Sequence, residues 1–392
     1  MRIVDVCAFY TRHGGGVKTY VERKLAAARS GVHEIIILAP DDADGVIFEG
    51  PGGTIRTLKA PKLPVDRRYH YFQDEAALHA ALDELAPDLV EVSSPWGSPA
   101  MVARWRPGEV PRALVMHADP MSAYAYRYLQ PILPREMIDK NFEPFWRHLR
   151  RLNEAFDFVI SASPSFTARL AAQGLDKLHT IPMGVEAGLF SPARRDADLR
   201  ARLLQRCDYG PDATLLLALG RHAAEKRWPM VFDAVTAAGY QRPIGLVLFG
   251  DGRDRVKVMR AAAPYPNIHL AAPVTDREDL ATIIASGDAL VHGCEAETFC
   301  MVAAEAKASG LPLIVPDEGG ASDQFVEGQG ARYRARNAPA LAAAIADFLA
   351  GDPAGARLRA AASAHRVPTM EAHFEALFAL YEGAAGAERH VA

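Results

Sequence analysis

The sequence predicts an α/β protein built as two doubly wound domains, each with a parallel sheet and crossover helices. Three observations carry that expectation. The chain has 392 residues, more than one hydrophobic core usually organises, so two domains with sizeable cores are expected. Short β-rich runs alternate with helical patterns along most of its length, as parallel strands joined by crossover helices require. The alternation breaks at 181–195, where IPMGVEAGLFSPARR carries glycines and prolines, and resumes only after Ala213.

In the first half, strands are expected at 2–6, 34–38, 89–92, 112–116 and 158–161, with helices between most of them. The second half repeats the plan, with strands at 214–219, 245–249, 267–270, 289–292 and 313–315. Near the end Phe374, Leu377, Phe378 and Tyr381 follow i, i+3, i+4, i+7 spacing, one apolar helix face that needs a surface to cover. The expected division is therefore a first domain over 1–190, a second over 191–366, and a segment 367–392 whose helix packs back on the first domain. A cleft between the two domains is the default ligand site.

Composition removes several classes of function. The formal net charge is -4, with acids and bases interspersed, so nothing demands a nucleic-acid partner. The cysteines are Cys7, Cys207, Cys294 and Cys300, too irregularly spaced for a disulfide framework or a CxxC metal site, and a reducing cytoplasm fits them. The opening apolar run is short and interrupted by Asp5, unlike a signal peptide. No apolar stretch reaches the roughly 18 residues of a spanning helix, so a cytoplasmic protein is expected, soluble or peripheral at the inner face of a membrane.

Candidate site residues gather after strands. Arg12-His13-Gly14-Gly15-Gly16-Val17-Lys18-Thr19 follows the first strand and opens a helix, and Gly15 and Gly16 there would let a phosphate approach the helix amino terminus. A tight turn alone would look the same. No Walker sequence is present, because Val17 separates Gly16 from Lys18, and no GxSxG elbow exists anywhere. His117 ends the strand at 112–116, where its imidazole can hydrogen-bond a sugar hydroxyl or steady developing charge. Arg221 and Lys226 follow the strand at 214–219, and a guanidinium fork with a lysine point charge suits a diphosphate leaving group. Gly250-Asp251-Gly252 is a close-approach turn after the next strand, suited to a base or ribose and common in turns generally.

The most specific string runs from His292 to Ala306. Glu297 lies in a loop leaving a strand and Glu305 about a turn inside the next helix, while the backbone N–H groups of Phe299, Cys300 and Met301 line the helix start. Two solvated glutamates on an ordinary helix would share that spacing. Followed by Ala308, Gly310, Pro312, Gly319 and Gly320, however, the string resembles the donor motif of family 4 glycosyltransferases with the GT-B fold. The resemblance covers nearly the whole chain, since the glycine loop, His117, Pro182-x-Gly184-Val185, Arg221 with Lys226, Gly250-Asp251-Gly252 and the terminal helix stand in the family's order.

That resemblance implies two Rossmann-like domains facing a cleft and a retaining hexosyltransferase acting on a nucleotide-diphosphate sugar. It implies a lipid or glycan acceptor, in glycolipid or cell-surface glycan synthesis. It implies that Glu305 binds the donor ribose, Glu297 and the amides near Phe299 the transferred sugar, and Arg221 and Lys226 the diphosphate. The glycine loop would cap the diphosphate from the opposite domain, and His117 would touch the sugar. Cys300 departs from the family's glycine, Met183 from its asparagine and Asp323 from its glutamate. No carboxylate stands at an obvious strand end facing His117, so front-face substitution is expected, with the departing phosphate accepting the acceptor's proton.

No cofactor or metal is expected, because Arg221 and Lys226 would neutralise the leaving group, and Asp42-Ala43-Asp44 and Asp196-Ala197-Asp198 read as solvated charge rather than a DxD metal motif. Phe145, Leu149, Leu152 and Phe156 form a helical stripe with Arg147, Arg150 and Arg151 opposite, a face suited to anionic lipid headgroups and equally to an ordinary surface helix. A nucleotide-sugar epimerase and a non-catalytic nucleotide-sugar binding protein are the rival readings. The residues leave the base, the sugar and the acceptor open.

Overall fold

Apolar runs such as Leu-Leu-Leu-Ala-Leu at 215–219 are buried along their whole length, because helices cover both faces of the sheets they build. The computed structural model describes residues 1–12, 16–30, 32–64, 67, 69–105, 108, 110–130 and 132–389. The chain divides into two compact units. One comprises Met1–Ala118, Leu129–Pro182 and Glu371–Ala392, the other Asp119–Tyr128 and Met183–Met370.

The first unit holds β1 (Arg2–Val6), β2 (Glu34–Asp41), β3 (Gly45–Gly50), β4 (Gly53–Lys59), β5 (Leu89–Val92), β6 (Arg112–Met116), β7 (Phe158–Ser161) and β8 (Leu178–Thr180). Among the described residues they form one sheet in the order β3-β4-β2-β1-β5-β6-β7-β8. Only the β3–β4 pair is antiparallel. The second unit holds β9 (Thr214–Leu219), β10 (Ile244–Phe249), β11 (Ile268–Ala271), β12 (Ala289–Val291), β13 (Leu313–Pro316) and β14 (Gly330–Tyr333). Their order is β11-β10-β9-β12-β13-β14, all parallel. The order reverses beside β1 in one sheet and beside β9 in the other, the doubly wound arrangement that the alternation predicts.

Four strands were not expected from the sequence: β3, β4, β8 and β14. β3 is largely exposed and carries a register shift between Val46 and Phe48, so it lacks the apolar run that marks a central strand. β8 (Leu-His-Thr) and β14 (Gly-Ala-Arg-Tyr) lack the apolar run that marks the equally short β12 and β13.

The terminal helix Met370–Arg389 belongs to the first unit through its buried face, where Phe374, Leu377 and Tyr381 are inaccessible and the Phe374 ring lies 5.2 Å from that of Tyr20. Beneath it lies a buried charge cluster. Lys24, from the helix Gly16–Ala27, donates to Asp5 of β1 at 3.0 Å and to Glu91 of β5 at 2.5 Å. Tyr381 donates to Glu91 at 2.7 Å, and Ser93 to Asp5 at 2.8 Å. Breaking a buried ion pair costs about 3–5 kcal/mol because the remaining charge stays desolvated, so this cluster fixes the relation of two strands and two helices.

Candidate functional site

In doubly wound sheets ligands gather where the strand order reverses, at the carboxyl ends of the strands flanking that point. In the second unit those strands are β9 and β12. The loop after β9 carries Arg221 and, in a single 3-10 turn at Ala224–Lys226, Lys226. The loop after β12 carries His292 to Cys300 and feeds the helix Met301–Ala308.

Glycines bring these loops together by backbone contact. A Cβ on Gly250, after β10, would stand 2.0 Å from the Gly220 carbonyl oxygen, so only glycine lets the β10 loop lie against the β9 loop. The Gly250-Asp251-Gly252 turn therefore packs on its neighbour: the His222 N–H donates to the Asp251 carbonyl at 2.8 Å, and a Cβ on Gly252 would meet the same His222 backbone at 2.6 Å. Gly320 does the same for the β12 loop, lying against the Phe299 backbone and donating its N–H to the Glu297 carbonyl at 2.8 Å.

Lys226 and Glu297 meet directly, the ammonium donating to Oε1 of the carboxylate. Burial opposes both charges, and each is held in place by the other. Glu297 lies below its ordinary carboxylate value because the Lys226 cation outweighs desolvation, and Lys226 lies above its ordinary value for the converse reason. His292 is 3.7 Å from the same Glu297 oxygen, and burial together with Lys226 pushes its imidazole down to about 4. Arg221 is 78% exposed along its side chain, with one 3.4 Å contact to Glu225. Glu225 also accepts from Arg127 at 3.1 Å. The loop after β9 thus carries one cation paired with Glu297, Lys226, and one exposed cation, Arg221.

Cys300 has a left-handed backbone, φ 68° and ψ 73°, and caps the helix Met301–Ala308 without a side-chain cap bond. Its thiol is buried 3.6 Å from His292 Nε2, and burial raises its pKa well above the ordinary range. Phe299 is buried and its carbonyl accepts from Gln324 Nε2 at 3.2 Å, while Met301 is half-buried at the first helical position. His292, Glu297 and Cys300 offer ligand atoms within 4.8 Å of one another, as do Asp41, Asp42 and His70. In the first group Lys226 already sits on Glu297. Asp42 pairs with His70 at 3.1 Å and Lys62 at 3.5 Å, Asp44 accepts from the Lys59 amide at 2.7 Å, and Asp196 caps the helix Ala197–Gln205.

Glu305 is only 7% exposed. Burial raises its pKa despite Arg277, whose Nη2 donates to Oε1 at 2.8 Å. Arg277 was not expected from the sequence. It opens the helix Arg277–Ser286 among other charged residues and reads there as a solvated side chain. The one signal was Asp276, a helix cap that fixes where position 277 begins.

The remaining expected residues lie in the first unit. His117 leaves β6, its ring edge-on to Tyr20 with centroids 4.7 Å apart, and burial together with Lys24 and His373 brings its pKa down to about 4. Gly16 begins the helix Gly16–Ala27 with open space around its Cα, while Gly14 and Gly15 lie outside the described residues. Of the three arginines on the helix Glu143–Ala155, Arg147 and Arg151 are exposed, whereas Arg150 bonds Glu143 and the Gln173 carbonyl.

Comparison with known proteins adds three findings. Residues 209–365 match the family described as glycosyl transferases group 1, and residues 15–184 the glycosyl transferase 4-like domain. A GDP-mannose-dependent alpha-mannosyltransferase of Mycobacterium tuberculosis (strain CDC 1551 / Oshkosh) is 30% identical over 82% of this chain and 81% of its own. A GDP-mannose-dependent alpha-(1-6)-phosphatidylinositol dimannoside mannosyltransferase of the same species (strain ATCC 25177 / H37Ra) is 28% identical over 80% of this chain and 79% of its own. Among solved structures, the sucrose-phosphate synthase of Thermosynechococcus elongatus superposes with a TM-score of 0.76 at 21% identity, covering 99% of this chain and 100% of that one. Anabaena HepE in complex with UDP gives 0.71 at 15% identity, over 98% of this chain and 100% of that one. At those identities the superpositions speak for the fold alone.

Proposed function

This chain belongs to the family 4 glycosyltransferases of GT-B fold, and on that premise we propose that it moves mannose from GDP-mannose to a glycolipid acceptor, retaining anomeric configuration. It is an enzyme that transfers a sugar from a nucleotide donor. The choice of GDP and mannose rests on its likeness to the mycobacterial mannosyltransferases over about four-fifths of both chains.

The observation that carries the chemistry is the Lys226–Glu297 pair at the reversal of the second sheet. As the donor bond breaks, negative charge develops on the β-phosphate. Lys226 and Arg221 supply fixed positive charge there, and preorganised charge of this kind lowers the barrier without reorganisation. Glu297 shares Lys226 and serves the sugar's hydroxyls as an ionised acceptor. Glu305 takes the ribose. The Phe299, Cys300 and Met301 amides at the helix start add donors, and Gly250 and Gly252 shape the loop beside them. His117, neutral near pH 7, suits either role in a hydrogen bond to a substrate hydroxyl. Gly16, with Gly15 before it in the sequence, begins the helix that follows β1 in the first unit and would offer its amino terminus to the diphosphate.

With the leaving group neutralised by side chains, turnover needs no metal or cofactor. Retention follows front-face substitution, the departing phosphate accepting the acceptor's proton. No helix is long and apolar enough to cross a membrane among the described residues, and we place the enzyme at the inner membrane face, reached from the cytoplasm.

The test measures nucleotide release from GDP-mannose, UDP-glucose and ADP-glucose, with and without phosphatidylinositol mannoside, in the presence of EDTA, and assigns the product anomer by NMR. Acceptor-dependent GDP release with an α-linked product is expected, and Lys226→Met should lower kcat by roughly a hundredfold or more. Release from UDP-sugars only would overturn the donor assignment. An acceptor-independent epimer would overturn transfer.

A further inference from the structure

Arg277 lies between two carboxylates and over a ring. Its Nη2 donates to Glu305 Oε1 and its Nε to Glu186 Oε2, both at 2.8 Å, and its guanidinium carbon lies 5.1 Å from the Phe190 ring centroid. Two other segments thus fix the guanidinium of Arg277, which opens the helix Arg277–Ser286: Glu186 and Phe190 lie in the stretch 181–195, and Glu305 lies on the helix Met301–Ala308. The bond to Glu305 uses one carboxylate oxygen. Oε2 has no partner among the described residues and is accessible, so the carboxylate offers one directed acceptor to an incoming group.

We infer that Arg277 is a positioning residue for ribose recognition, orienting Glu305 so that its second oxygen accepts hydrogen bonds from the ribose hydroxyls of the donor nucleotide. The inference rests on the proposed role of Glu305 and adds to it the residue that makes that role work.

The physical need is specific. A carboxylate accepts from two hydroxyls only while ionised, because protonation turns one oxygen into a donor. Burial pushes the Glu305 carboxyl above its ordinary range, and Arg277 is the cation that opposes this. A planar fork also fixes the carboxylate plane as a lysine ammonium cannot. Glu186 keeps the fork in register by holding Nε, which leaves Nη2 aimed at Glu305. Arg277 itself need not touch the nucleotide.

The experiment compares the dissociation constants of GDP and 2′,3′-dideoxy-GDP by calorimetry, from pH 5.0 to 8.0, for the wild-type chain and for Arg277→Gln, Arg277→Lys and Glu305→Ala. In the wild type, loss of both hydroxyls should weaken binding about tenfold or more, the scale of a charge-assisted hydrogen bond. Arg277→Gln should weaken GDP by a similar factor and leave the dideoxy nucleotide unchanged, so the discrimination collapses. Its residual GDP affinity should depend on pH more steeply than that of the wild type, rising as Glu305 ionises. Arg277→Lys should restore part of the affinity and bring the pH profile back toward that of the wild type.

Equal weakening of both nucleotides in Arg277→Gln would overturn the inference, because the arginine would then act on the base, the phosphates or the fold. Unchanged discrimination would overturn it too. Glu305→Ala separates the two levels: wild-type discrimination in that variant removes Glu305 from the ribose and the inference with it. Lost discrimination there, with discrimination kept in Arg277→Gln, removes Arg277 alone.

Discussion

At the scale of single residues, position 300 shows how backbone and chemistry meet. The family carries glycine here, and with φ 68° at Cys300 the reason is conformational: the chain turns through the left-handed region to start the helix Met301–Ala308. A side chain in that region costs about 1–2 kcal/mol. Cys300 recovers part of this by burying its thiol beside His292. Cys300→Gly should therefore unfold within about 1 kcal/mol of the wild type, relief of strain offsetting lost burial. Cys300→Val should fall below both, since branching at Cβ aggravates the clash. Equal melting temperatures for Val and wild type would contradict a left-handed residue. The sequence marks Cys300 as a departure from glycine but not the reason a glycine is favoured there, because φ is invisible in a motif.

At the scale of elements, strands with a continuous apolar run were legible and the others were not. β1, β2, β5, β6 and β7, and β9 to β13, announce themselves as apolar runs bounded by turns, and all of them but the edge strand β11 are buried on both faces along most of their length. β3 and β4 carry polar residues toward solvent and needed their partner strand to be recognised. Lys24 was equally opaque: within Glu22-Arg23-Lys24 it reads as solvated, and only the acids inside RIVDV and LVEV hinted that a buried cation was required. Arg277 and Glu305 are 28 positions apart and meet only through the fold. The helix Glu143–Ala155 teaches the converse. Its arginine face looked uniform, yet Arg150 is committed to Glu143 and the Gln173 carbonyl, so that only Arg147 and Arg151 are exposed for the lipid contact that the sequence suggested. Each basic side chain near an anionic surface contributes about 1 kcal/mol, so Arg147→Gln with Arg151→Gln should weaken sedimentation with phosphatidylinositol vesicles roughly thirtyfold. Arg150→Gln should lower the melting temperature and leave sedimentation unchanged. Equal loss from both variants would remove that helix as the contact face.

At the scale of the whole molecule, three imidazoles, two of them buried and His117 half-buried, set the response to acid. His117, His292 and His373 each have a pKa near 4, chiefly through burial. For His373 the bonding explains why the neutral form is wanted. Nδ1 faces the Pro182 carbonyl at 2.9 Å, which can only accept, so the proton is there and Nε2 is left to accept from the Tyr20 hydroxyl at 3.0 Å. In the unfolded chain the three titrate near 6.5. Between about pH 6.5 and pH 4 the unfolded state binds more protons than the folded one, so stability falls as pH falls, and above pH 7 these groups contribute nothing. Each histidine costs roughly 2 kcal/mol by pH 5. Asp5 and Glu305 act in the opposite sense, because burial raises their folded pKa values and they take up protons first in the native state. Carboxylates held low, such as Glu297 and Asp288, enter only nearer the unfolded carboxylate range of about 4. Calorimetric melting temperatures should thus be level above pH 7 and fall between pH 6.5 and 5. His292→Asn should make that fall shallower by about one proton. A level profile down to pH 5 would mean that the imidazoles are charged in the native state, and the tautomer assigned to His373 would be wrong with it.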